Sequence, residues 1–308
     1  MRVLITGVAG FLGATLARRL IKNEIEVVGM DIVPRDAARR LEGLKLDYRW
    51  QSIQDLTSID APFVVHTAAV ADVPLAARSP IFTLQQNVLG SAMLLEACAR
   101  HDGFERIIIQ SSESVYGYAR RIPIPEDEPL NPTNLYASSK AAQEMVAMSY
   151  YHSHKLPVTI LRSCTLYGPN SRTNQVVPLF IQKALKGEPL RIEGDGNQSR
   201  SFNFSENMVD GILAALNEPT AVGEIFNIAS GEETTILELA QRVLRLARAD
   251  LAYQDTWEGL IEFIPARAGE TGVRLYPDIT KATRILGYHP RVSFEKGLAL
   301  TIESFASH

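Results

Sequence analysis

Short apolar runs rich in valine and isoleucine alternate along this chain with longer amphipathic segments. Most of the runs lack an alternation of apolar and polar residues, which is typical of strands buried on both faces of a sheet. The runs predict β-strands at residues 3–6, 26–31, 63–69, 106–112, 158–163 and 224–229.

The segments between these runs have helical periodicity. In the first of them, Leu12, Leu16 and Leu20 lie on one helix face. Helices are predicted at residues 11–22, 81–101, 135–153, 178–186, 206–217 and 235–248. Alternation of strands and helices indicates an α/β fold, in which helices cover both sides of a parallel sheet.

The pattern changes after residue 168, where polar loops at 168–175, 193–201 and 264–272 are separated by short helices. We therefore predict two domains. The first spans residues 1–168 and is rejoined by residues 203–230. A smaller α/β lobe is expected to consist of residues 169–202 and 231–308.

Composition narrows the classes of partner. The chain is 46% hydrophobic and 21% charged, and its net charge is −4, so bulk charge gives no reason to expect nucleic acid or an anionic membrane as partner. No apolar stretch has the length of a membrane span. The first strand begins almost at residue 1 and leaves no room for a signal peptide, so the cytoplasm is the expected location.

Cysteine and histidine spacing predicts no metal site. Cys98 and Cys164 each lie in an apolar run and are expected to be reduced thiols. The six histidines form no cluster with the spacing of metal ligands.

A glycine-rich turn follows the first strand and opens the first helix. It places Gly7, Gly10 and Gly13 at GxxGxxG spacing. Glycines at such a turn let the backbone approach a pyrophosphate, and the helix start supplies unpaired N–H groups and a positive dipole end. The same trio also suits an ordinary tight turn, but its place in the first strand–helix unit favours dinucleotide binding and a Rossmann-type doubly wound sheet.

Asp31 ends the second strand, 24 residues after Gly7. A carboxylate at this point accepts hydrogen bonds from ribose hydroxyls and repels a 2′-phosphate. The predicted cofactor is therefore NAD rather than NADP.

Candidate proton-handling residues lie at the end of the fourth strand and on the helix that follows. The strand ends in "SSES", residues 111–114, and "YASSK" places Tyr136 and Lys140 one helical turn apart. A nearby ammonium favours the phenolate form of tyrosine, and a serine hydroxyl can bond the same substrate oxygen. Beside a dinucleotide loop, this set suits proton transfer coupled to hydride transfer.

Taken together, these motifs resemble the extended short-chain dehydrogenases/reductases, and within them the nucleotide-sugar epimerase/dehydratase group. The resemblance covers nearly the whole chain. Besides the glycine loop it rests on "HTAAVADV" (66–73), "NVLGSAMLLEACA" (87–99), "SSESVYG" (111–117), "YASSK" (136–140), "LRSCTLYGP" (161–169), "GDGNQSRSF" (194–202), "FNIASGEETTILELA" (226–240) and "RAGE" (267–270).

The resemblance implies roles for individual residues. Tyr136 would be the base, Lys140 would also hold the nicotinamide ribose, and Ser112 would bond the reacting oxygen. Asn87 would lie near the nicotinamide. The full predicted cofactor set is Gly7, Gly10, Phe11, Leu12, Gly13, Asp31, Ile32, Ile53, Ala68, Ala69, Asn87, Ser111, Tyr136 and Lys140.

In this family the second lobe binds a nucleoside diphosphate sugar through arginines on separate loops. Arg200 and Arg267 occupy the matching positions, and two cations suit a pyrophosphate. The predicted substrate-binding set is Ser112, Glu113, Thr165, Gln175, Val176, Arg200, Arg267 and Glu270. A uridine nucleotide is the commonest in the group, but no residue here specifies the base or the sugar. Relatives also pair through two helices, so we expect a homodimer formed by residues of about 81–101 and 135–153.

One departure from the family pattern bears on the reaction. Dehydratases of the group carry two consecutive acids after the catalytic hydroxyl, whereas this chain has Glu113 followed by Ser114. The missing second acid favours an epimerase, most readily at C4. Glu113 keeps dehydration open, as well as decarboxylation or keto-sugar reduction. A non-catalytic dinucleotide-sensing protein is disfavoured because both Tyr136 and Lys140 are present.

Overall fold

A computed structural model describes residues 1–248, 257–265 and 273–307 of the chain. Its strands are Arg2–Thr6 (β1), Glu26–Asp31 (β2), Asp47–Trp50 (β3), Phe63–His66 (β4), Arg106–Ser112 (β5), Val158–Ser163 (β6), Thr165–Tyr167 (β7), Leu190–Glu193 (β8), Ser199–Arg200 (β9), Phe202–Phe204 (β10), Ile225–Ile228 (β11), Thr234–Thr235 (β12), Ile261–Ile264 (β13) and Arg274–Leu275 (β14).

The α-helices are Phe11–Lys22 (α1), Val73–Arg78 (α2), Pro80–Leu84 (α3), Gly90–Ala99 (α4), Leu135–His154 (α5), Val176–Leu185 (α6), Ser205–Asn217 (α7), Ile236–Ala247 (α8), Thr280–Leu286 (α9) and Phe294–Ala306 (α10). A π-helical turn, Gln85–Leu89, joins α3 to α4. Short 3-10 turns occur at Arg35–Ala37, Arg39–Leu41, Ile53–Asp55, Glu113–Tyr116 and Pro219–Ala221.

The main sheet has seven parallel strands in the order β11-β6-β5-β4-β1-β2-β3. Strand order reverses at β1, which lies between β4 and β2. In sheets of this kind, ligands bind at the carboxyl ends of the strands beside such a reversal. The predicted Rossmann-type α/β fold is confirmed, and the carboxyl ends of β1, β4 and β5 meet at one edge.

Alternating side chains of the sheet contribute to two separate apolar layers. Val3 and Ile5 of β1 pack with α1 and α7 on one face, whereas Leu4 packs with α4 and α5 on the other. Both layers consist mainly of buried aliphatic side chains, which is why the strand runs lack polar alternation. The two layers hold α1 and α5 at fixed positions over the carboxyl edge of the sheet.

A third apolar cluster lies outside the main sheet. It unites α6, α8 and α10 around Phe180, Phe202 and Phe294. Small sheets flank it, with β7 pairing β10, β9 pairing β12 and β14, and β8 pairing β13. This cluster is separate from the two layers that cover the main sheet, and its helix α10 was not among the helices predicted from the pattern.

Among the elements that differ from the sequence prediction, three bear on the main sheet and the cleft. The edge strand β3, "DYRW", was missed because it is short and has no buried apolar run. Strand β4 ends at His66 rather than at residue 69, since the chain then crosses closely over Gly7. The predicted helix 81–101 is divided at the π-helical turn, where Asn87 bonds to the loop after β4.

Candidate active site

The glycine loop is held by close backbone contacts. Gly7 has φ +72°, and a Cβ there would lie 2.6 Å from the backbone of Ala68. A Cβ at Gly13 would lie 2.3 Å from the carbonyl oxygen of Gly7. Both positions therefore require glycine, and the loop lies directly against the start of the segment that follows β4.

The first turn of α1 is suited to a phosphate group. Gly10 precedes the helix, no side chain caps it, and its first turn contains no acidic residue. The amide groups at the helix start therefore remain available to an anion, as a dinucleotide pyrophosphate requires. Phe11 and Leu12 contribute only their backbone here, because both side chains are buried.

Asp31, at the end of β2, is hydrogen-bonded to the glycine loop. Its carboxylate accepts hydrogen bonds from the amide of Ala9 at 2.9 Å and from the amide of Val33 at 3.0 Å. Each oxygen keeps lone pairs for a ribose hydroxyl. The adjacent Ile32 is exposed, whereas Ile53 is buried against Gly90, so the side chain of Ile53 belongs to the core.

Asn87 is fully buried, and its side chain is engaged by the protein. Its oxygen accepts from the amide of Val70 at 2.7 Å, and its nitrogen donates to the Val70 carbonyl and to the Ser139 hydroxyl. Asn87 thus ties the loop that carries Ala68 and Ala69 to α5. Both N–H groups of its amide already have protein acceptors, so the structure gives Asn87 a role in holding the cleft wall.

Ser111 also bonds within the protein. Its hydroxyl donates to the Glu144 carboxylate, which forms a bidentate ion pair with Arg162. The three side chains are buried. Ser111 therefore anchors α5 to the end of β5 and leaves the next residue, Ser112, to point into the cleft.

Ser112 lies at the junction of β5 with the Glu113–Tyr116 turn, where its hydroxyl accepts from the amide of Ser114 at 3.2 Å and from the Ser114 hydroxyl at 2.9 Å. Tyr136 stands opposite, in the first turn of α5, whose start is capped by Asn134. Burial raises the pKa of Tyr136, while a hydrogen bond with Ser112 lowers it.

Lys140 lies one turn further along α5 and is buried. Its ammonium donates to the main-chain oxygen of Gln110 and to the side-chain oxygen of Gln143. Burial lowers the pKa of Lys140 to about 7, and the carboxylate of Glu144 acts in the opposite direction. The structure thus brings Ser112, Tyr136 and Lys140 to the same edge of the sheet as the glycine loop.

Glu113 is a buried carboxyl group beside this set. One oxygen lies 3.4 Å from the Thr165 hydroxyl, and the other has no hydrogen-bond partner among the described residues. Burial raises the pKa of Glu113 to about 8, although the positive charge of Arg200 lowers it. At neutral pH this side chain is an uncharged acid that can donate a hydrogen bond.

Among the predicted substrate residues that follow β7, Arg200 lies near Glu113. The positive charge of Arg200, on β9, is close enough to Glu113 to lower the pKa of its carboxyl group. Gln175 precedes α6, whose first residue is Val176, and the side-chain oxygen of Gln175 is buried without a partner among the described residues. Arg267 and Glu270 lie outside the described residues.

Sequence reasoning missed Arg172, which lies in the loop between β7 and α6. Its positive charge lowers the pKa of Tyr136. Within the described part of the chain, the guanidinium groups of Arg172 and Arg200 form no hydrogen bond or ion pair. A lone arginine in a polar loop carries no sequence signal of this kind, because its proximity to Tyr136 arises only from the fold.

The described residues contain neither a cluster of metal-ligating side chains nor a membrane-spanning helix. No group of three or more His, Cys, Asp or Glu side chains among them is arranged to hold a metal ion. None of the helices in this part of the chain is long and apolar enough to span a membrane.

Comparison with known proteins agrees with this geometry. A UDP-glucose 4-epimerase of Mycolicibacterium smegmatis is 33% identical, covering 99% of this chain and 98% of that protein. The UDP-glucuronic acid 4-epimerase of Bacillus cereus, solved with UDP-glucuronic acid and NAD, matches with a TM-score of 0.90 and 28% identity, covering 100% of this chain and 99% of that one. A dTDP-glucose 4,6-dehydratase of Streptomyces venezuelae, solved with NAD bound, matches with a TM-score of 0.88 and 30% identity. That match covers 100% of this chain and 98% of the dehydratase chain.

The family model described as the NAD dependent epimerase/dehydratase family matches residues 3–229, which include the glycine loop, Ser112, Tyr136 and Lys140. The match covers well over half of the chain, and solved relatives carry NAD. This protein is therefore an NAD-dependent sugar-modifying enzyme that belongs to the NAD-dependent epimerase/dehydratase family.

Proposed function

We propose that this enzyme epimerises a nucleoside diphosphate hexose at C4, with a UDP-sugar as the favoured substrate. The observation that carries the proposal is the placement of Tyr136 and Lys140 one turn apart on α5, opposite Ser112 and beside the glycine loop. A tyrosine and a lysine in this arrangement can move a proton at a sugar hydroxyl while hydride leaves the same carbon.

In the proposed reaction, Tyr136 takes the proton of the 4-hydroxyl group, and Ser112 bonds to the same oxygen. NAD, when bound, would supply the hydride acceptor and donor. Tyr136 returns its proton to the same oxygen when the keto group is reduced again, so the acid–base cycle closes. Between the two steps the 4-keto sugar turns over in the cleft and presents its other face. The positive charge of Arg172 opposes the burial that raises the pKa of Tyr136. A charged Lys140, one helical turn away, is proposed to favour the phenolate in the same way.

The smaller lobe is proposed to bind the nucleoside diphosphate. Arg200 has a guanidinium without a protein partner among the described residues, and the helix start at Gln175 offers unpaired amide groups. A diphosphate can accept hydrogen bonds from both the guanidinium and the amide groups, since each favours negative charge. The substrate roles of Thr165, Arg267 and Glu270 stay predictions.

Dehydration of the same class of substrate is the second candidate function, and Glu113 is the observation that favours it. A buried, uncharged carboxyl group with one unpartnered oxygen is able to protonate a leaving hydroxyl group. Epimerisation stays the first proposal because Ser114 follows Glu113. Its hydroxyl is bonded to Ser112, so no second carboxyl group stands there to remove a proton.

A homodimer is proposed through the outer surface of the helices between residues 73 and 99 and of α5. Among the described residues, several exposed large apolar side chains lie on these elements: Val73, Leu75, Ile81, Phe82, Leu84, Leu89 and Met145. Met145 is 65% exposed and Ile81 66% exposed. Such a concentration of apolar surface favours contact with a second copy of the chain.

Tyr136→Phe is expected to abolish turnover while leaving the fold intact, because the ring stays and only the proton-carrying oxygen is lost. The measurement is chromatography with mass detection of a panel of nucleotide sugars incubated with the protein and NAD. The wild type should give a new peak of unchanged mass. A product lighter by one water would support dehydration instead, and an active Tyr136→Phe variant would exclude Tyr136 as the base.

Arg172 is expected to favour substrates with a carboxylate on the sugar, because an unpaired guanidinium lies near the oxygen of Tyr136. Arg172→Met should reduce kcat/KM for UDP-glucuronate by roughly tenfold more than for UDP-glucose, the scale of one charged hydrogen bond. The matched control is Arg284→Met, which changes an exposed arginine on α9. Equal losses on both substrates would contradict a contact with the carboxylate.

Glu113→Gln is expected to change the pH dependence of stability. The pKa of Glu113 is about 8 in the folded protein, so between its ordinary value and pH 8 only the folded state binds the proton. The wild-type free energy of unfolding then falls with rising pH by up to about 1.4 kcal/mol per pH unit relative to the variant. Urea unfolding at pH 5, 6 and 7 measures this, and parallel curves would show that Glu113 is ionised.

Met145→Glu is expected to shift the protein from dimer to monomer, because it places a charge within the proposed contact surface. Light scattering after size-exclusion chromatography measures the mass at micromolar concentration. Leu300→Glu on α10 is the control, since it adds the same charge at an exposed apolar position elsewhere. A wild-type monomer, or a variant that remains dimeric, would rule out this surface.

A further inference from the structure

The ammonium of Lys140 has two acceptors within the protein. One is the main-chain oxygen of Gln110, and the other is the side-chain oxygen of Gln143. An ammonium has three N–H donors, so one has no acceptor among the described residues. Gln143 follows Lys140 by three residues on α5 and is completely buried.

The orientation of the Gln143 amide is fixed by its neighbours. The Ser91 hydroxyl donates its hydrogen to the main-chain oxygen of Asn87 at 2.6 Å, so it acts as an acceptor toward Gln143. The amide nitrogen of Gln143 donates to that hydroxyl at 2.6 Å. The amide oxygen must therefore face Lys140.

The hydrogen bonds of Ser91 also fix the tautomer of His66. Because the hydrogen of Ser91 is already used, Nε2 of His66 donates to Ser91 at 2.8 Å, and Nδ1 accepts from the Thr6 hydroxyl at 2.6 Å. Burial lowers the pKa of His66 to about 3, and the charge of Lys140 lowers it further. A chain of neutral groups thus runs from β1 to Gln143, and the ammonium is the charge at its end.

The carboxylate nearest to Lys140 is already occupied. Glu144 raises the pKa of Lys140, but its oxygens accept from Arg162 and Ser111. Among the described side chains, Gln143 is therefore the one that bonds directly to the ammonium.

Two further charged side chains face Tyr136 rather than Lys140. Glu113 raises the pKa of Tyr136, whereas Arg172 lowers it. Neither belongs to the chain of hydrogen bonds that ends at Lys140, so a change at Gln143 leaves both of them in place.

We propose that Gln143 is a positioning residue that keeps the Lys140 ammonium charged and aimed at Tyr136. A hydrogen bond to the charged form favours that form and opposes the cost of burial. Loss of the Gln143 oxygen removes this support without touching Tyr136. The proposal rests on the proposed roles of Tyr136 and Lys140 in proton transfer.

The test is an ultraviolet titration of the Tyr136 phenolate in protein saturated with NAD and free of sugar. Spectra of the matching Tyr136→Phe proteins are subtracted to remove the other tyrosines. Gln143→Met keeps the side-chain volume and is expected to raise the ionisation midpoint of Tyr136 by about half to one pH unit. In a Lys140→Met background, the same change should move the midpoint by less than about 0.2 unit.

Ser91→Ala provides a second variant, which frees the amide of Gln143 and should shift the midpoint in the same direction by a smaller amount. Ser91→Ala replaces Gln143→Met in the titration if circular dichroism shows that Gln143→Met does not fold. An unchanged midpoint in the folded variants overturns the proposal. Equal shifts with and without Lys140 overturn it as well, because they indicate a purely structural effect. The titration needs no turnover, so it stands apart from the proposed reaction.

Discussion

The buried ion pair between Arg162 and Glu144 holds helix α5 in place. Arg162 comes from β6 and Glu144 from α5, and their bidentate contact is joined by the Ser111 hydroxyl at the end of β5. The guanidinium also lies over the ring of Tyr116, 4.8 Å from its centre. Removing one partner of such a pair leaves a buried charge and costs about 3–5 kcal/mol. Every other feature of the site depends on α5 keeping this position.

Burial drives the ionisable groups of the cleft toward their neutral forms. It raises the pKa of Glu113 and Tyr136 and lowers the pKa of Lys140 and His66. The cleft therefore carries little charge of its own on these four side chains. In the proposed reaction, a bound nicotinamide ring would add a positive charge to the cleft and a bound diphosphate a negative one.

The pattern of the chain predicts most of the main sheet because buried parallel strands are local apolar runs. The glycine loop and the Tyr136–Lys140 spacing are also local, so they were readable. The edge strand β3 was not, since "DYRW" gains its structure from pairing with β2. Contacts between distant segments were equally hidden. Asn87 bonds to Val70, and Gln143 bonds to Ser91, yet neither polar side chain differs in sequence from one that faces solvent.

The main sheet and the third apolar cluster are interleaved along the chain. Strand β7 follows β6 of the main sheet and pairs with β10, outside that sheet, after which α7 and β11 return to the main sheet. A single exchange of chain segments between two such enzymes would therefore cut through shared strands and break both cores. Point substitutions in surface loops disturb such an interleaved arrangement less than exchange of long chain segments does.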